Sequence, residues 1–269
     1  MANLVSSNYY MRAHLFVVLA LLPFALEAQV GGPGRNRAKD GPPKPPPHLA
    51  NGRIDLGNTK GVWNPRVIQN LAAEGNLGPN RIPDLKKADI SFQPWAKKLY
   101  EERRVNTIQL NDPESKCLPP GIPRMYATPF PFQIHQLDDR VLFAFEGGAH
   151  IWRVVYTDGR KHSAEVNPTF LGEAIGTYEG NSLIVDTIGF NENTWLDQDG
   201  HPHTEALHTI EKFTRNEVDF IDYEVTIEDP ATYTAPWTFA YTIRWVQDGD
   251  LMEYICQENN KDLQHMVGK

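Results

Sequence analysis

The densest grouping of ionisable side chains in the sequence is Gly200-His201-Pro202-His203-Thr204-Glu205-Ala206-Leu207-His208. Pro202 biases His201 away from helix and toward extended backbone. In an extended segment alternate residues share a face, so His201, His203 and Glu205 are expected to project to one side. Two imidazoles and a carboxylate, with one position left open, suit zinc or another divalent ion, the one cofactor that this segment suggests. Without a metal, the same residues supply a His–Glu acid–base pair, in which the carboxylate orients and charges the imidazole. The third reading is a surface turn with solvated histidines. His208 falls on the opposite phase and joins the others only through a bulge.

Other candidates are spread over separate segments. In His150-Ile151-Trp152-Arg153, a strand would put His150, Trp152 and Tyr156 on one face and Arg153 on the other, with Asp158, Arg160 and His162 in the turn that follows. Asp186 interrupts the apolar run Leu183-Ile184-Val185-Asp186-Thr187-Ile188, where an acid is either interior and partnered or at a rim. Trp195 and Asp197 precede the histidine segment. Glu253, between Leu251 and Ile255, is expected beside Arg244 on the preceding strand, in a pair that could be purely structural. The expected catalytic set is thus His201, His203, Glu205, His208, His150 and Asp186. Substrate contacts are expected from Trp152, Arg153, Tyr156, Trp195, Asp197 and Glu253. No nucleophile elbow, P-loop, dinucleotide fingerprint or zinc-protease helix occurs, so covalent serine or cysteine catalysis is not expected.

These residues must be positioned by strands. From Phe132 onward the chain alternates short apolar runs with turn chemistry: Asp138-Asp139, Gly147-Gly148, Asp158-Gly159, Gly180-Asn181, Asp199-Gly200 and Asp248-Gly249-Asp250. The expected strands are 132–137, 140–146, 150–157, 173–179, 182–190, 204–215, 218–229, 238–247 and 251–258, after a first step at Gly61-Val62-Trp63-Asn64. Short links imply antiparallel neighbours, and closing so many strands into an up-and-down barrel removes exposed edges. The expected fold is all-β. One accessory helix is expected within Ala88–Arg104, with Pro94 near its start, Trp95 and Leu99 on one face and Lys97, Lys98, Glu101 and Glu102 on the other. The prolines of CLPPGIPR and PFPFQI keep the segment before the sheet extended or turning.

The Gly-x-Trp step at Gly61-Trp63 resembles the first-strand signature of lipocalins, whose barrels are antiparallel meanders. The chain is longer than a plain lipocalin, and its helix lies near the start instead of after the last strand. The pieces CLPPGIPR, PFPFQI, YTDGRKH, DTIGFNENTWLD, GHPHTEALH and CQENN together resemble a large set of exported proteins from soil bacteria. That likeness implies export and a β-rich, lipocalin-like (calycin-type) barrel, and implies no activity.

The amino terminus points the same way. Met11-Arg12 opens a weakly basic stretch, Ala13–Leu26 is apolar apart from His14 and Pro23, and Ala28 offers a small residue for cleavage. The run is short for a bilayer span, which needs about 20 apolar residues, although a retained anchor is the alternative. Residues 1–28 are therefore expected to be a signal peptide, residues 29–53 a Pro/Gly-rich tether, and residues 54–269 a single domain. Cys117 and Cys256, the only cysteines, are expected to pair in an oxidising compartment; two separately buried thiols are the alternative. A formal net charge of −8 and the lack of basic runs argue against nucleic acid as a partner. No transmembrane segment is expected after signal removal.

The expectation is an exported protein, periplasmic or extracellular, that takes a small organic molecule such as a sugar, aromatic or terpenoid. An enzyme would perform acid–base elimination, hydration or hydrolysis on it inside the barrel. The alternative is a non-catalytic binding protein of lipocalin type.

Overall fold

Alternating burial marks the strands. In Phe132–Gln136, residues Phe132, Ile134 and Gln136 are buried while His135 is exposed; in His208–Glu217, Thr209, Glu211, Phe213 and Arg215 are buried between more exposed neighbours. The computed structural model describes residues 42, 44–57, 60–74, 90–105 and 111–256. The signal segment, the first part of the tether and residues 257–258 of the last expected strand lie outside these.

Nine strands close into a barrel in sequence order: β1 Val62–Asn64, β2 Phe132–Gln136, β3 Arg140–Phe145, β4 Trp152–Tyr156, β5 Glu173–Glu179, β6 Ser182–Ile188, β7 His208–Glu217, β8 Phe220–Glu228 and β9 Trp237–Val246. β9 pairs back onto β1 through Trp63 and Trp245. Directions cannot alternate all the way round a ring with an odd number of strands, so the sheet cannot be wholly antiparallel. The exception falls at β4 and β5, which run parallel with Val155 opposite Ala174. A parallel pair needs a crossover, and residues 157–172 provide it as a strap along the outside of the wall. The strap is tied by Thr169, whose N–H donates to Gly189 and whose carbonyl accepts from Asn191.

Three expected strands change. Residues 147–150 form a single helical turn, so His150 ends a helix and the strand begins at Trp152. Both glycines of this turn are packed: a β-carbon on Gly147 would meet the Phe130 ring at 2.5 Å, and one on Gly148 would meet Met125 at 3.2 Å. β7 starts at His208, not Thr204. Residues 251–256 contain no strand, so Cys256 does not sit on one, and Arg244 and Glu253 are both exposed instead of forming a buried pair.

Both ends of the barrel are covered. At one end residues 44–57, partly read as tether, lie across the opening: Val218 N–H donates to Lys44 O, and Leu56 N–H donates to Gln136 Oε1 at 2.6 Å. Beneath them Trp63 is fully buried and donates to Leu56 O, while Arg215 stacks over the Trp63 and Trp245 rings. Gly61 is required here, because a β-carbon would lie 2.3 Å from Trp245. At the other end the short turn Arg124–Tyr126 pushes Tyr126 among Phe132, Phe143, Phe145, Phe213 and Tyr223. Above it sit the short helix α1, Leu71–Glu74, and the helix α2, Pro94–Val105. α2 turns Ala96 inward, with Leu99, Tyr100 and Arg103 half-buried, and leaves Trp95 exposed with its indole N–H on Ala231 O. The Cys117–Cys256 disulfide forms, closing 139 residues of sequence. No helix among the described residues is long and apolar enough to cross a membrane.

Candidate functional site

The histidine segment does not make one face. Asp229 captures the Thr204 N–H at 2.7 Å and the Thr204 hydroxyl at 3.0 Å, and that hydroxyl in turn accepts from Ala206 N–H. The chain therefore turns at Thr204, and Glu205 points to solvent. His201 is 2% exposed and donates from Nδ1 to Asp197 at 2.6 Å. Its ring lies 4.3 Å from Tyr100 and 6.0 Å from Trp237, centroid to centroid. His203 is buried in a separate cell, donating from Nδ1 to Thr204 O and accepting from the Thr194 hydroxyl at 2.7 Å. Burial pushes its pKa down, which favours the neutral imidazole whose Nε2 accepts from that hydroxyl. His201, His203 and Glu205 thus do not converge as a metal triad, and no group of three or more His, Cys, Asp or Glu among the described residues is placed to hold a metal ion.

Trp195 and Asp197, expected against substrate, belong to the same covering layer. Asp197 is fully buried and also accepts Leu71 N–H, which fastens the start of α1. Trp195 lies under the Arg103 guanidinium at 4.6 Å. Around them Asp199 accepts from the Tyr100 hydroxyl and pairs with Arg104 at 3.2 Å. Burial, then the bond to Asp199, pushes the Tyr100 phenol well above its usual value.

Inside the barrel, Arg153 faces the core as its strand phase requires. Its guanidinium pairs with Glu211, donates to the Thr187 hydroxyl at 2.7 Å and reaches the Tyr126 hydroxyl at 3.0 Å. Tyr223 donates at 3.0 Å to Glu211 Oε1, the oxygen that also accepts from Arg153 Nη1. Burial alone disfavours the cation, yet Glu211 and Tyr126 hold Arg153 above its usual range. Burial pushes the Tyr126 and Tyr223 phenols the other way from ionisation, well above theirs. With aromatic rings packed on all sides, this group is a bonded core element.

The remaining expected residues stand on the outer wall. Trp152, 65% exposed, and Tyr156 point away from the barrel and line a groove of about 620 Å³ between β4 and the strap. Phe170, Glu165, Asn167 and Glu173 also line it. Arg160 lies 3.7 Å over the Tyr156 ring and is held there by Asp158. Hydrogen bonds from the Ser163 hydroxyl and N–H hold the Glu173 carboxyl below its usual range, so it is anionic.

Beside the groove, five side chains from five segments form a row. His162 of the strap contacts Glu173 of β5 at 3.1 Å and Asp186 of β6 at 3.0 Å. His208 of β7 contacts the same Asp186 oxygen at 2.9 Å and Glu228 of β8 at 2.9 Å. Asp186 and His208 therefore do meet, but outside the barrel. Glu173, Glu211, Glu228, Tyr126 and the strap were not singled out from sequence. One signal was available: the link at 158–172 is far longer than a hairpin turn and long enough for a crossover. Searches against family models, curated proteins and solved structures returned no match for this chain.

Proposed function

We propose that this chain is an exported, non-catalytic binding protein for a small neutral sugar, and that it holds its ligand in the groove between β4 and the strap, outside the barrel. The observation that carries this reading is Trp152, a large aromatic left exposed in a concave site of about 620 Å³ whose other walls carry Asn167, Glu165 and Glu173. An indole offers a flat apolar face to the C–H face of a sugar ring, while carboxylate and amide groups accept from hydroxyls. A terpenoid suits an enclosed apolar cavity better than this open, mixed groove. Two carboxylates in the lining disfavour a ligand that carries its own carboxylate.

Closure of the strands into a barrel with Trp63 on the first one supports a lipocalin-like ancestry, from which the parallel β4–β5 pair departs. The apolar run Ala13–Leu26 and the disulfide support export to the periplasm or beyond. An acid–base enzyme working inside the barrel has less support, since His201 and His203 are engaged in the covering layer and Asp186 and His208 face outward. Calorimetric titration with cellobiose, maltose and diacetylchitobiose tests the proposal. Saturable heat with at least one of them, and weaker binding of a uronic-acid disaccharide, is the expected result. No saturable heat with any neutral disaccharide overturns it.

A further inference from the structure

The row Glu173–His162–Asp186–His208–Glu228 has an unusual hydrogen-bond requirement. Each imidazole presents both ring nitrogens to carboxylate oxygens, at 2.9–3.1 Å. A neutral imidazole has one N–H to donate, so its second nitrogen would turn a lone pair toward a carboxylate. Only the imidazolium form donates from both nitrogens. The row is therefore satisfied as alternating charges: three carboxylates and two imidazolium ions.

We propose that His162 and His208 form a proton-operated latch that holds the strap 157–172 against the barrel wall and so shapes the groove. His162 is the strap's member of the row, and it reaches two barrel strands at once through Glu173 and Asp186. Asp186 accepts both imidazoles on one oxygen, so it couples the strap to β7 and, through Glu228, to β8. The carboxylates facing these rings are Glu173 from β5, Asp186 from β6 and Glu228 from β8. On the strap itself, Asp158 and Arg160 are paired with each other, and Ser163 bonds Glu173.

Loss of a proton from either imidazole removes one donated bond and sets two lone pairs against each other. Histidine exchanges its proton between about pH 5 and 8. Raising pH through that range is thus expected to release the strap, leaving the covering layer and the core in place. All five side chains are partly exposed, so water can reach them.

The latch itself does not depend on any ligand; its consequence for binding rests on the groove reading above. Trypsin cleavage after Arg160 or Lys161 in the strap reads the latch directly. At pH 8 relative to pH 6, scaled to cleavage of a denatured reference substrate, cleavage is expected to rise about tenfold, equivalent to ~1.4 kcal/mol of opening free energy. The double variant His162→Gln/His208→Gln should be cleaved at the fast rate at both pH values, and so should Asp186→Asn. His135→Gln, which alters an exposed histidine on β2, should keep the wild-type profile. Equal scaled cleavage at both pH values in the wild type overturns the proposal, as does an unchanged pH dependence in the double variant. Cellobiose affinity measured on the same samples separates the two readings. A working latch with no sugar binding sinks only the groove, and pH-independent cleavage with sugar binding sinks only the latch.

Discussion

Two histidine–aspartate contacts in this protein have nearly the same chemistry and opposite settings. His201 and Asp197 meet at 2.6 Å with almost no exposure, under Tyr100, Phe92 and Trp237. His208 and Asp186 meet at 2.9 Å on the outer wall, where Asp186 is 43% exposed. The buried pair also takes backbone N–H groups from Leu71 and His201, so it fastens two segments of the covering layer. The exposed pair takes only side chains, Glu228 from β8 and His162 from the strap. Burial, more than residue type, decides which of the two is a fastener and which can respond to solvent.

The barrel interior is the extreme of the buried setting. Removing one member of the Arg153–Glu211 pair leaves the other charge enclosed and uncompensated. Glu211→Ala is expected to lower unfolding free energy by about 3–5 kcal/mol, measured by urea denaturation. The double variant Arg153→Met/Glu211→Leu should recover much of that loss, since apolar groups of similar size leave no charge behind. A Glu211→Ala protein as stable as the wild type would contradict a buried, bonded pair. Reduction of Cys117–Cys256 comes next. It frees a loop of 139 residues and should cost ~2–5 kcal/mol, seen as a lower melting temperature under reductant.

Asp197→Asn sharpens the contrast between the two pairs. It keeps the shape of the side chain but removes the charge that accepts His201 Nδ1–H, so a loss of about 1.5–3 kcal/mol is expected. Asp186→Asn on the wall should cost well under half as much in global stability. Equal costs would erase the distinction drawn from burial.

His203 gives the pH dependence of the buried region. Desolvation lowers its folded-state pKa below the unfolded value of about 6.5. As pH falls below that value, the unfolded chain takes up a proton that the folded chain refuses. Stability from this group is therefore complete above the unfolded pKa and declines toward acid, the opposite direction to the latch, which weakens toward alkali. Denaturation midpoints at pH 5 and pH 8 should differ less in His203→Gln than in the wild type.

Most of the sheet was legible in the sequence because it depends on local alternation and turn residues, which one stretch of chain reveals. β5 and β6 start where expected, on either side of Gly180-Asn181, a connection that leaves little freedom. The candidate site was less legible because it depends on distant partners. Nothing near Thr204 announces that Asp229 will turn the chain there, yet that one carboxylate separates His203 from Glu205. Asp186 and His208 were recognisable as unusual, but which side of the wall they face follows from register with Thr209 and Thr187, both buried. The long link before β5 carried the missing information. Together with an odd number of strands it implies a parallel joint, and the groove lies at that joint.

The smallest expected effect on stability tests the exposed region itself. Trp152 is mostly in water, so Trp152→Ala removes little buried surface and should change unfolding free energy by no more than about 0.5 kcal/mol. If the groove holds a sugar, the same substitution removes the stacking face and should reduce cellobiose affinity at least tenfold, or ~1.4 kcal/mol. Trp195→Ala should behave in reverse: Trp195 is 4% exposed beneath Arg103, so its loss should destabilise by about 3–5 kcal/mol. Urea denaturation and calorimetric titration on the two variants therefore give a crossed pattern. Two tryptophans that lower stability alike would place Trp152 in the core, and two that leave affinity alike would move the ligand away from the groove.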